Sequence, residues 1–105
     1  MPVKSAGDPV LPKIEACKIA HAAFEASCEG EPRCHAPEHK AWSDRQHAAD
    51  DVYENKLFDL VETQATTRQG ITQMLDMYLE YERGLIRENE LALLENIRRY
   101  LHASA

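Results

Sequence analysis

Ile14-Glu15-Ala16-Cys17-Lys18-Ile19-Ala20-His21-Ala22-Ala23-Phe24-Glu25-Ala26-Ser27-Cys28 decides the fold by its spacing. Ile14, Cys17, His21, Phe24 and Cys28 recur at alternating intervals of three and four, which is the repeat of one helix face. Ala16, Ala20 and Ala23 widen that face and are small enough to let a second helix approach closely. Upstream, Asp8 is suited to cap the helix by accepting backbone N–H groups, and Pro9 is tolerated at a first helical position. Pro12 offers a competing start, because its missing N–H weakens the turn it sits in. Downstream, Gly30, Pro32 and Pro37 break the period and mark residues 29–37 as a loop.

Pro37 and Glu38 suit the first turn of a second helix, where negative charge offsets the positive helix end. Trp42, Arg45, Ala49, Val52, Tyr53, Lys56, Leu60 and Val61 trace its inner face, with Leu57 and Phe58 thickening the apolar surface. The Ala65-Thr66-Thr67 segment interrupts again. Thr66 with Gln69 fits a capping box, predicting the start of a third helix. Ile71, Met74, Leu75, Tyr78 and Glu82 mark one face of it, with Leu79 at the edge and Gly84 as a left-handed C-cap. Asn89 is read as the N-cap of a fourth helix, whose inner stripe is Leu91, Leu94, Ile97 and Leu101. No strand-like alternation occurs anywhere.

The expected fold is therefore all-α: a four-helix bundle or paired helical hairpins, two long helices followed by two shorter ones. A chain of 105 residues has room for one modest core, so residues 9–103 are expected to form a single helical domain behind a disordered tail over 1–8. No apolar run approaches the roughly 18 residues of a spanning helix, and no membrane role is expected. The N-terminus lacks the pattern of a secretion signal, which makes the cytoplasm the expected location. Eighteen acidic against twelve basic side chains give a formal charge of −6, with Arg98-Arg99 the one adjacent basic pair. A nucleic-acid partner is not expected from that balance. Three cysteines, Cys17, Cys28 and Cys34, cannot all pair in one chain and are read as free thiols.

Several pieces of the chain together resemble a set of short, uncharacterised all-helical proteins of alphaproteobacteria. They are Asp8-Pro9-Val10, Ile14-Glu15-Ala16, His21-Ala22-Ala23-Phe24 and Thr66-Thr67-Arg68-Gln69-Gly70, then Leu75-Asp76-Met77-Tyr78-Leu79-Glu80-Tyr81-Glu82 and Leu94-Glu95-Asn96-Ile97. The chain departs from that pattern at Ala65, where proline is usual, and lacks a Trp-Pro turn near Asn89. The resemblance implies a helical fold and no known activity.

Cys28, Cys34, His35 and His39 are the sharpest candidate site. Thiolates and imidazoles are good zinc ligands, and four fall within twelve residues. Against this, five residues separate Cys28 from Cys34 and Pro37 divides the histidines, so incidental loop side chains are the preferred reading. A di-iron centre is excluded, since the chain has no Glu-x-x-His pair. His21 is read as a core-edge histidine rather than a base or pH switch, with Glu80 or Glu82 as candidate partners. Asp76, Glu80 and Glu82 with Tyr78 and Tyr81 read as a solvated face ahead of a docking face for a basic partner. No nucleophile elbow or Gly-rich phosphate loop is present.

Leu79, Leu85, Leu93 and Tyr100 are more apolar surface than four thin stripes require. They are the expected interface of a homodimer, and the expected function is a non-enzymatic protein-interaction module without a cofactor. The alternative is a helical protein that binds zinc or a small ligand.

Overall fold

In the computed structural model, which describes residues 7–103, helix α1 spans Val10–Cys28, α2 Glu38–Val61, α3 Arg68–Glu82 and α4 Glu88–Ala103. A 3-10 turn, Arg83–Leu85, joins α3 to α4. Among the described residues there is no strand, and no helix is long and apolar enough to cross a membrane. The all-α class holds, as does the order of two longer helices (19 and 24 residues) before two shorter ones (15 and 16). The chain divides into two compact units: residues up to Ile14 with those from Thr63 onward, and Glu15–Glu62.

The Glu15–Glu62 unit is an antiparallel helical hairpin. The Gln46 amide donates to Cys28 Sγ at 3.4 Å, and the His21 ring meets Tyr53 edge-on at 5.2 Å between centroids. Partners later in α1 thus sit opposite residues earlier in α2. Gly30, at φ 70°, supplies the left-handed residue that ends α1. Trp42 then closes the turn by donating its indole N–H to the Glu29 carbonyl at 3.1 Å.

Cys17, Ala20, Trp42, Tyr53, Leu57 and Leu60 form the core. The inner face expected for α2 is corrected on one side: Arg45, Val52, Lys56, Phe58 and Val61 are exposed. Tyr53, Leu57 and Leu60 keep the four-three interval, whereas Val52 and Lys56 precede two of them and so point about 100° away. Burial, with the Asp59 carboxylate adding to it, pushes the Cys17 thiol above its ordinary range. That makes it a packing residue rather than a nucleophile.

The other unit is organised by Asp8. This residue was expected to close a disordered tail, but it is only 3% exposed; residues 1–6 of that expected tail lie outside the described residues. Asp8 Oδ1 accepts from the Val10 N–H at 3.1 Å and so caps α1. The Asp8 carbonyl accepts from Leu11 at 3.1 Å. Pro12 is accordingly harmless inside the first turn, because that carbonyl is where its N–H would have gone.

Asp8 Oδ2 meanwhile accepts from the Thr66 N–H (3.0 Å), the Thr67 N–H (2.7 Å) and the Thr67 hydroxyl (2.7 Å). Thr67 Oγ1 in turn accepts from the Gly70 N–H at 2.9 Å. The cap of α3 is therefore Thr67, in extended backbone, and not Thr66. The carboxylate lies so near Gly70 that a Cβ there would strike it and would come within 2.9 Å of the Val10 side chain. Burial by itself raises the Asp8 carboxyl, but the hydroxyl and amide donors outweigh it and hold the group below its ordinary 3.8.

Beyond α3 two more expectations are corrected. Gly84 lies in the 3-10 turn and is not left-handed, since Gly30 alone has positive φ among the described residues. The fourth helix begins at Glu88, ahead of Asn89, with Leu91 donating to the Arg87 carbonyl at 2.8 Å. Glu88 and Glu90 then both sit in its first turn, where the helix dipole favours them.

Candidate functional site

The C-terminal half of helix α4 is pinned by polar contacts to α3 and to the turn that follows α3. Arg83 Nη1 pairs with Glu95 at 2.8 Å near one end. In the middle, Asp76 receives Arg98 Nε at 2.8 Å and His102 Nε2 at 3.1 Å. At the other end Arg68 Nη2 donates to the Leu101 carbonyl at 2.9 Å and to Tyr100 at 3.4 Å. Those carbonyls belong to the last turn, which lacks intrahelical donors, so Arg68 caps α4 from a different helix. Burial raises the Asp76 carboxyl, but the hydrogen bonds and charges of His102 and Arg98 outweigh it and leave the group below its ordinary 3.8.

The apolar surface of α4 is less complete. Leu91, Leu94 and Leu101 are half-buried, and no residue of the helix is buried. On a second side, Leu93 is 59% exposed, Ile97 41% and Tyr100 67%. Intervals of four and three place these three on one continuous stripe, about 10 Å long. Leu85, 82% exposed, stands beside its N-terminal end. A groove of about 380 Å³ opens there, lined by Tyr78, Leu85, Ile86, Glu90, Leu93 and Leu94. At the C-terminal end the Arg68 guanidinium lies 5.8 Å from the centre of the Tyr100 ring. The stripe therefore has an apolar middle, an acidic end at Glu90 and a basic end at Arg68.

Three of the four expected interface residues, Leu85, Leu93 and Tyr100, lie on this surface. Leu79 does not: at 1% exposure it is part of the core beneath α4. Ile97, expected inside, is the middle of the outer stripe. Arg68 has no role assigned to it by the sequence. Arg68 carries no local signal, because the carbonyls it caps lie 32 and 33 residues further on.

The expected metal ligands have separate surroundings. Cys28 takes the Gln46 hydrogen bond, while Cys34 and His35 are exposed loop residues. His39 sits in the first turn of α2, 3.3 Å from Glu31 and with its ring 5.4 Å from that of Trp42. All three cysteines are free. Among the described residues no three His, Cys, Asp or Glu side chains gather so as to hold a metal ion. His21, half-buried against Tyr53, has Glu25 at 3.6 Å on its own helix.

Comparison with protein-family models, with curated proteins and with solved structures finds no match to this chain.

Proposed function

We propose that this protein is a non-enzymatic helical interaction module that works as a homodimer through the outer face of α4. One observation carries the reading: Leu93, Ile97 and Tyr100 line up in the open, beside exposed Leu85 and an apolar groove. Scattered apolar side chains on a protein surface are ordinary, but an aligned set rimmed by charge marks a place where another surface is covered. Fully covering a leucine or a similarly large side chain is worth about 1.5–3 kcal/mol. Association itself costs roughly 4–15 kcal/mol, so a dimer needs the stripes of both copies covered together.

The test is a pair of single substitutions, Leu93→Glu and Tyr100→Glu. Each places a charge in the covered surface, and each should give a folded monomer with an unchanged helical circular dichroism spectrum. A dimer untouched by both substitutions would show that the module assembles through some other face.

A further inference from the structure

We infer that the two copies meet with their α4 helices antiparallel, each copy seating Tyr100 in the groove beside Leu93 of the other. This rests on the homodimer reading above and adds the arrangement of its two halves. The stripe carries a projecting knob and a recess at opposite ends. Tyr100 projects, being 67% exposed. The recess is the groove of about 380 Å³ lined by Leu85, Ile86 and Leu93 among others. Knob and recess lie seven residues apart on one helix, so a twofold axis near Asn96 and Ile97 exchanges them. An isologous contact of that kind fills both grooves at once and leaves no half open for a third copy. A parallel pairing would instead set Tyr100 against Tyr100 and leave both grooves empty.

Charge selects the same direction. Glu90 lines the groove, and Arg68 flanks Tyr100 at 5.8 Å. When Tyr100 of one copy enters the other's groove, it brings Arg68 toward Glu90, once at each end of the seam. A parallel pairing would oppose Glu90 to Glu90 and Arg68 to Arg68. Antiparallel helix dipoles favour the same arrangement.

The experiment is disulfide trapping in the full chain, with Cys28→Ser and Cys34→Ser removing the thiols outside the core. Leu93→Cys and Tyr100→Cys chains are oxidised separately and as a mixture. The antiparallel seam predicts a linked heterodimer in the mixture and no self-linked product of either variant. Across the axis, each engineered residue lies about 10 Å from its own counterpart, beyond the roughly 7 Å that a disulfide can span.

Should either substitution dissociate the dimer, spin labels on Asn89→Cys, an exposed position one turn beyond the N-terminal end of the stripe, supply the direction. Antiparallel helices hold the two labels about 22 Å apart along the axis, and parallel helices hold them side by side. Self-linking of both variants, or labels side by side, overturns the antiparallel seam while the homodimer stands. A wild-type chain that is monomeric overturns both.

Discussion

Helices α2 and α4 are both amphipathic, and the chain treats their apolar residues differently. On α2, Trp42, Tyr53, Leu57 and Leu60 are buried, and α1 runs antiparallel beside it with hydrogen bonds at the turn. Its exposed apolar residues form no long stripe: Phe58 and Val61, three apart, share a side, while Val52 points elsewhere. On α4 nothing is buried, although apolar and polar residues are better separated along it. The ion pairs with Asp76 and Arg83, together with the Arg68 cap, fix its position, while Leu93, Ile97 and Tyr100 stay outside. A helix that is held firmly and covered incompletely is suited to presenting a surface. Helix α2 buries its apolar face; α4 leaves part of its own exposed.

The largest expected effect falls on the helix that spends its apolar face on folding. Leu60→Ala removes a fully buried side chain and should cost about 2–5 kcal/mol of unfolding free energy. Leu93→Ala is the same chemical change at a 59% exposed site. Measured by urea denaturation at concentrations where the chain is monomeric, it should cost less than about 0.5 kcal/mol. Equal losses at the two sites would erase the distinction between the helices.

Acid should act on the unit that contains α4. Asp8 and Asp76 both have carboxyls held below 3.8 in the folded chain. Protonating them therefore costs more in the folded state than in the unfolded one. The stability they supply is complete above that ordinary value and is lost as pH falls below it into the acid range. Asp8→Asn combined with Asp76→Asn should lower the melting temperature at neutral pH and flatten its decline across that acid range. A decline as steep as that of the wild type would mean that neither carboxylate carries it.

Much of this architecture was readable from spacing, and the failures share a cause. The stripe Ile14, Cys17, His21, Phe24 and Cys28 placed α1 because helix period is a local property. By that local standard Thr66, with Gln69 three residues on, is the better cap. The choice was made by Asp8, 58 and 59 residues earlier, whose carboxylate reaches both amides but only the Thr67 hydroxyl. Gly70 carries no local signal of its role, yet it is the residue that lets Asp8 come close. The same holds at the outer face of α4. Leu93 and Tyr100 stood out as surplus apolar residues, whereas Ile97 and Leu79 were assigned to the wrong sides. Their burial depends on how far α4 rolls on α3, and that is set by Arg83–Glu95 and Asp76–Arg98, pairs formed between distant segments.

The central claim is that the outer face of α4 exists to be covered by a second copy. Its most direct test is the solution mass of the wild-type chain by size exclusion with light scattering, across a dilution series spanning about 1–100 μM. The account predicts twice the 11.9 kDa chain mass at the upper end, falling toward a single chain on dilution. A mass of 11.9 kDa at every concentration would contradict it.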